Sequence, residues 1–217
     1  MSNKRTIITI DGLASTGKST IASSLAKKLK IAHLNSGILY RALGYICLNN
    51  PKFNEALLKE YLLKNDLNLR LSDDLEVLAY INNENITEKL FNLEISSKCN
   101  ELAQFTYIRE LLLDYQRNAF LGMDLVAEGR DMGTVIFPDA KYKFFIEVDL
   151  EEKISRRIKQ LKEKSSYNSD LEQEVKDSIM LRDKRDSVRT LAAENAIIVD
   201  NSKSIEDAIN FILSKIN

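Results

Sequence analysis

The feature that most constrains this chain is a glycine-rich loop between an apolar segment and an amphipathic segment. Residues 12–19 read GLASTGKS and fit the pattern G-x-x-x-x-G-K-[ST] at every fixed position. An apolar run, residues 6–10, precedes the loop, and Ile21, Leu25 and Leu29 follow it at helical spacing. The order strand, loop, helix predicts a nucleotide-phosphate site made of backbone N–H groups and a helix N-terminus.

Each fixed position of the loop has a physical role in binding phosphate. The glycines allow the backbone to fold closely around phosphate oxygens, so that successive N–H groups point inward. Lys18 can reach the β- and γ-phosphates, and the hydroxyl of Ser19 can ligate Mg²⁺. The alternative interpretation is a glycine turn that only begins a helix, but the flanking strand and helix favour phosphate binding.

Composition excludes several other classes of protein. The chain has 217 residues, 31 basic and 32 acidic side chains and a net charge of −1, which gives no electrostatic reason to expect nucleic acid as a partner. Two cysteines and one histidine cannot build a disulfide framework or a zinc site. No run approaches the ~18 apolar residues of a membrane span. We expect a soluble, cytoplasmic protein.

Apolar runs and helical patterns alternate along the chain. Four runs are expected to be buried strands, namely residues 6–10, 125–127, 143–148 and 196–199, and a fifth, less apolar run is residues 31–34. Amphipathic patterns lie between them, and this order is typical of a parallel sheet covered by helices on both faces. Residues 65–87 differ, because alternating apolar residues and two turns there predict an antiparallel hairpin with a third strand near residues 85–87.

A second set of anion-binding residues lies outside the loop. Glycines and arginines follow the predicted strands within residues 36–41 and 129–134, where an α/β sheet has its ligand crevice. Further arginines occur at Arg156 and Arg157 on one helix and in residues 182–189, which we expect to follow another, polar helix. The alternative for these helical arginines is a surface paired with acidic neighbours.

The remaining motifs separate the classes of nucleotide-binding protein. The chain has no N-K-x-D base reader, no L-S-G-G-Q stretch and no strand that ends in an acidic pair able to orient a hydrolytic water. A second phosphate-bearing acceptor therefore fits the extra arginines better than water does.

These residues resemble those of the bacterial cytidylate (CMP) kinases. The resemblance is carried by IDG at residues 10–12, SGILYR at 36–41, GRDMGTVIFPDA at 129–140 and RDKRDSVR at 182–189. It implies the P-loop NTPase fold, a three-layer α/β architecture with a central parallel five-stranded sheet, a small antiparallel insert in the NMP-binding lobe and a helical lid. The implied organisation is one nucleoside monophosphate kinase domain over residues 1–217, with the NMP-binding insert at roughly 36–105 and the lid at roughly 150–185.

The resemblance also implies roles for individual residues. ATP would be bound by Gly12, Leu13, Ala14, Ser15, Thr16, Gly17, Lys18, Ser19 and Thr20. CMP would be bound by Ser36, Arg41, Asn100, Arg109, Arg130, Asp131, Arg182, Asp186 and Arg189. The catalytic set would be Lys18, Arg130, Arg156, Arg157 and Arg182, with Mg²⁺ as cofactor at Ser19. Asn100 departs from the family pattern, which usually has a serine there.

The implied reaction is ATP-dependent transfer of a phosphoryl group to CMP, and also to dCMP, by a monomeric enzyme. Two alternatives stay open from the sequence. One is a kinase for another small acceptor such as UMP or AMP, and the other is a non-catalytic nucleotide sensor, which would not need arginines on the acceptor side.

Overall fold

The computed structural model describes residues 5–163 and 171–216 of the chain. By its internal contacts the chain divides into two compact units, one built mainly from residues 30–125 and the other from residues 6–29 and 126–216. The predicted lid, residues 150–185, includes residues 164–170, which lie outside the described residues. Among the helices in the described ranges, none is long and apolar enough to cross a membrane.

Strands and helices alternate through most of the described chain. The strands are β1 Ile7–Gly12, β2 Ala32–Asn35, β3 Leu67–Leu71, β4 Val77–Ile81, β5 Glu84–Asn85, β6 Leu125–Gly129, β7 Tyr142–Glu147 and β8 Ile197–Asp200. The α-helices are α1 Lys18–Leu29, α2 Gly37–Asn49, α3 Glu55–Lys64, α4 Leu93–Leu102, α5 Thr106–Arg117, α6 Leu150–Glu163, α7 Leu171–Ser187 and α8 Ile205–Lys215. A 3₁₀ turn covers Thr87–Leu90 and a π-helical turn covers Met132–Ile136.

The central sheet has five parallel strands in the order β2-β6-β1-β7-β8. In its register Ile10 lies opposite Phe144, and Phe145 lies opposite Ile198. All five predicted strands are confirmed, but β1 and β6 continue beyond their apolar runs, to Gly12 and Gly129. Strand pairing continues there because it needs only the backbone, and the acidic side chains in these extensions are held by hydrogen bonds.

The predicted hairpin forms a separate antiparallel sheet in the order β3-β4-β5, with Leu69 opposite Ala79. The third strand is Glu84–Asn85, about one residue earlier than expected. Asn82 and Asn83 both adopt positive φ, 49° and 67°, which makes the turn before β5 tight.

One expectation about the acidic and basic segment at residues 182–189 is wrong. We expected it to follow a polar helix, but α7 continues to Ser187 and so includes both Arg182 and Asp186. The segment contains no glycine or proline, and its arginine and lysine residues are good helix formers. The helix therefore fixes the spacing of these charged side chains.

Candidate active site

The glycine-rich loop lies between β1 and α1 and has little space for side chains at its two glycines. Gly12 has φ +155°, and a Cβ atom there would lie 2.6 Å from the backbone oxygen of Ile146. Gly17 has φ +79°, a conformation that residues other than glycine rarely adopt. The hydroxyl of Thr16 donates a hydrogen bond to the Leu13 carbonyl at 3.1 Å. The loop is thus held in one compact shape.

We expect Gly12→Ala to lower the free energy of unfolding by about 1–3 kcal/mol, because the new methyl group would collide with backbone rather than with a movable side chain. Gly122→Ala is the matched control, since Gly122 also has positive φ (+86°) but has open space where a Cβ would lie. Denaturant unfolding measures both. Equal losses in the two variants would show that the close approach to Ile146 has no cost.

Lys18 opens α1 and is buried, with only 8% of its surface exposed. Its Nζ donates to the Leu13 carbonyl at 3.0 Å. Burial and the charge of Arg130 lower the pKa of Lys18 from its ordinary 10.5 to about 7, while Glu128 and other nearby carboxylates act in the opposite direction. A lysine held close to neutrality beside a phosphate-binding loop can gain a proton when anionic phosphate arrives.

We expect ATP binding at about pH 8 to take up protons, because phosphate charge would raise the pKa of Lys18 through that pH. Titration calorimetry in buffers of different ionisation enthalpy measures the uptake. Lys18→Arg is the control, since arginine stays charged and should take up none. A binding enthalpy independent of buffer in the unchanged protein would mean that Lys18 is already protonated.

Ser19 and Glu128 bring together oxygen atoms suited to Mg²⁺ beside the glycine-rich loop. The hydroxyl of Ser19 donates to Glu128 Oε2 at 2.8 Å, and Glu128 is 2% exposed near the end of β6. The described residues contain no cluster of three or more histidine, cysteine or acidic side chains. Mg²⁺ in nucleotide sites needs only one or two protein oxygens beside substrate phosphates, so these residues fit the ion.

Asp11 lies at the end of β1 and fixes the turn that follows β6. Its carboxylate accepts hydrogen bonds from the backbone N–H groups of Met132 at 2.8 Å and Gly133 at 2.7 Å. Burial raises the pKa of Asp11 to about 6, against the opposing effect of these two hydrogen bonds. Because the π-helical turn begins right after Asp131, Asp11 sets the position of Arg130 and Asp131.

Arg130, Asp186 and Arg189 form a cluster that contacts the loop. Arg130 donates from Nε to Asp186 Oδ2 at 3.0 Å and from Nη1 to the Gly12 carbonyl at 3.2 Å. Arg189 donates from Nη2 to Asp186 Oδ1 at 2.6 Å. Burial alone would raise the pKa of Asp186, but the two arginines outweigh it and hold that pKa below the ordinary value. Arg130 and Arg189, both predicted to bind CMP, therefore pair with the same carboxylate, that of Asp186.

The ion pairs within this cluster also test the alternative that the arginines of residues 182–189 only form salt bridges on an exposed helix surface. Asp186 and Arg189 do form an ion pair three residues apart, but their side chains are only 13% and 20% exposed. Arg182 lies on the exposed part of α7 and has no hydrogen bond to this cluster. The ion pair between Asp186 and Arg189 could therefore be predicted from their spacing on a helix, but its partial burial could not.

Arg156 and Arg157 lie on α6 and line an open cleft of about 890 Å³ together with the loop. Arg156 donates from Nε to Glu152 at 2.7 Å and from Nη2 to the Asn201 carbonyl at 2.6 Å. Its Nη1 is buried and has no hydrogen-bond partner among the residues that the structure describes. Such a donor is costly to leave unsatisfied, and an anion in the cleft would satisfy it. Other residues lining the cleft include Ser15, Gly17, Lys18, Ser19, Thr20 and Lys203.

Four predicted residues of the acceptor site lie in the first unit. Ser36 is buried just before α2, and Arg41 donates from Nη1 to the Leu90 carbonyl at 3.0 Å and to Ser96 Oγ at 2.9 Å. Asn100 and Arg109 are half-buried on α4 and α5.

Three residues of this region were not assigned roles from the sequence. Asp11 and Glu128 each lie in a strand just before a glycine, and an acidic residue at that place was the available signal. Asn201, directly after β8, gave no signal of its own. Its contacts with Thr16 and Arg156 depend on how distant segments pack.

Comparison with known proteins gives one consistent result. The family profile described as cytidylate kinase matches residues 8–217. A curated cytidylate kinase of Clostridioides difficile is 35% identical, with 97% of this chain and 98% of the relative covered. The cytidylate kinase of Haemophilus ducreyi is 36% identical, with 97% of this chain and 96% of the relative covered. The cytidylate kinase of Alkaliphilus oremlandii is 37% identical, with 95% of this chain and 95% of the relative covered. The matched range includes the glycine-rich loop, Arg130 with the π-helical turn that follows it, and helix α7.

Proposed function

Because the chain belongs to the cytidylate kinase family, we propose that it transfers the γ-phosphoryl group of ATP to the phosphate of CMP, producing ADP and CDP. The observation that carries the proposal is the contact between Arg130 and the Gly12 carbonyl. It puts the Arg130–Asp186–Arg189 cluster within one hydrogen bond of the loop that binds nucleotide phosphates. dCMP is a second acceptor in this proposal.

The cluster favours a phosphate acceptor over water or a sensor function. Two highly charged phosphate groups can approach each other only if cations offset their repulsion, and guanidinium groups bind phosphate through paired hydrogen bonds. Arg130 and Arg189 provide two such groups beside the loop, both now engaged by Asp186. A nucleotide sensor that transfers nothing has no use for a second set of arginines.

The chemistry assigned to the chain is direct in-line transfer without a covalent enzyme intermediate. The acceptor phosphate is already ionised, so no strong general base is required. The sole histidine, His33, lies buried in β2 and is not used. Lys18 and the guanidinium of Arg156 would spread the charge that develops on the γ-phosphoryl group. Mg²⁺, held in part by Ser19 near Glu128, supplies further charge neutralisation when bound.

The acceptor residues divide by the part of CMP that they would bind. Arg41, Arg130 and Arg189 would bind the phosphate, and Arg182 with Asp186 would face the ribose. Asp131 and Arg109 would face the cytosine, with Ser36 and Asn100 also in the site. Asn100 can both donate and accept through its amide, so it can replace a serine near the base.

A panel of possible phosphate acceptors, the acceptor panel, tests this proposal. Purified protein with Mg-ATP is mixed separately with CMP, dCMP, UMP, AMP and no acceptor, and ADP release is followed. We expect fast release with CMP and dCMP, much slower release with UMP and AMP, and almost none without acceptor. Equal release in every mixture would indicate an ATPase, and a preference for UMP or AMP would change the substrate. Gel filtration of the same sample tests the proposed monomer.

A further inference from the structure

Asn201 is a fully buried polar residue to which the proposed reaction gives no role. It directly follows β8 and has no exposed surface. Its Nδ2 donates to the backbone oxygen of Thr16 at 2.8 Å, inside the glycine-rich loop. Its backbone N–H donates to the Glu147 carbonyl at 2.9 Å, at the end of β7. Asn201 therefore ties the phosphate-binding loop to the central sheet.

The same residue also holds an arginine of α6. The backbone carbonyl of Asn201 accepts from Arg156 Nη2 at 2.6 Å, and the Glu152 carboxylate accepts from Arg156 Nε at 2.7 Å. Two different atoms of the guanidinium are thus fixed, which sets its plane. The third nitrogen, Nη1, is buried and finds no hydrogen-bond partner within residues 5–163 and 171–216.

Gly17 shows how closely these groups lie over the loop. A Cβ atom at Gly17 would be 2.7 Å from Asn201 Nδ2 and 3.6 Å from Arg156 Nη1. The amide and the guanidinium therefore lie side by side against the loop backbone. The unsatisfied Nη1 lies 3.6 Å from the Cβ position of Gly17, so an anion bound by the loop could also satisfy it.

We propose that Asn201 is a positioning residue for the donor phosphates. Its side chain fixes the Thr16 peptide, and hence the direction of the loop's N–H groups, while its backbone carbonyl holds Arg156 for the same anion. The identity of that anion as ATP rests on the proposed function. A neutral side chain with a hydrogen-bond donor suits this place. A carboxylate would face the Thr16 oxygen and add negative charge, and an apolar group would leave that oxygen without its hydrogen bond.

Two substitutions of similar size test the role without requiring turnover. In Asn201→Asp and Asn201→Leu, we expect the dissociation constant of a non-hydrolysable Mg-ATP analogue, measured by calorimetry, to rise about tenfold or more. The dissociation constant of CMP, measured in the same way, should stay within about twofold. Ser202→Ala is the matched control, because Ser202 lies in the same segment and its hydroxyl accepts from the backbone of Asp149 rather than binding the loop. Unchanged analogue binding in both Asn201 variants would overturn the proposal.

A double-mutant cycle separates positioning from a general loss of structure. If the loop orientation set by the Asn201 side chain and the guanidinium of Arg156 act on the same anion, the binding losses of Asn201→Leu and Arg156→Met should be clearly less than additive. Additive losses would contradict the link. A parallel loss of analogue binding, CMP binding and thermal stability in the Asn201 variants would mean a merely structural role and would also contradict the proposal. Because binding is measured without transfer, a failed acceptor panel would leave this test intact.

Discussion

Substituting Lys18 by methionine should reduce turnover at saturating ATP and CMP by about three orders of magnitude. Lys18 is the loop's one cation at the start of α1, and its Nζ already lies 3.0 Å from a loop carbonyl. Methionine keeps the length of the side chain but cannot offset charge on the transferred group. Steady-state kinetics measures the loss, with Lys27→Met, an exposed position of the same helix, as the control.

The same substitution should alter stability in a pH-dependent way. The pKa of Lys18 is about 7 in the folded protein, against an ordinary value of 10.5. The unfolded chain therefore binds more protons between these values, and the free energy of unfolding should rise with pH from about 7 to 10.5. Lys18→Met should remove this slope and stabilise the ligand-free protein at pH 7. A variant that keeps the slope, or one with near-normal turnover, would contradict the role given to Lys18.

The second large effect is expected from Arg130→Met, which should lower kcat/KM for CMP by about 10²–10³-fold. Removing Arg130 deletes one cation of the Arg130–Asp186–Arg189 cluster and leaves Asp186 paired with Arg189 alone. Losing one member of a partly buried charge pair is costly because the other charge stays desolvated. Binding of a non-hydrolysable ATP analogue should change only a few-fold. Kinetics with varied CMP, together with analogue titration, measures the two effects separately.

Two further variants sharpen this test. Arg130→Lys should recover only part of the activity, because a lysine cannot reproduce the paired hydrogen bonds of a guanidinium. Arg185→Met, on an exposed position of α7, should behave like the unchanged protein. Normal CMP kinetics in Arg130→Met would remove Arg130 from the acceptor site. Equal loss in Arg185→Met would mean that the effect comes from a general loss of positive charge and not from the position of Arg130.

Much of the fold was predictable because its signals are local. The loop motif, the apolar runs and the alternation in residues 65–87 each depend on a few neighbouring residues, and the five parallel strands and the antiparallel sheet follow from them. The end of α7 was misjudged because charge pattern alone does not show where a polar helix ends.

The site was predictable only in part, for a different physical reason. Lys18, Ser19 and Arg130 lie in short sequence motifs whose residue types already indicate phosphate binding. Glu128 meets Ser19 across 109 positions of sequence, and Asn201 meets Thr16 across 185. Such pairs are set by the order of strands in the sheet, which brings their carboxyl ends together and leaves no local trace.

The central claim is that the γ-phosphoryl group of ATP goes to the phosphate of CMP and not to water. ATP labelled at the γ-phosphate with ³²P tests it most directly, by incubation with CMP and Mg²⁺ and separation of the products. We predict that the label appears in CDP, one for each ADP formed, with little in inorganic phosphate. Label found mainly in inorganic phosphate, or in a nucleotide only when UMP or AMP replaces CMP, would contradict the account.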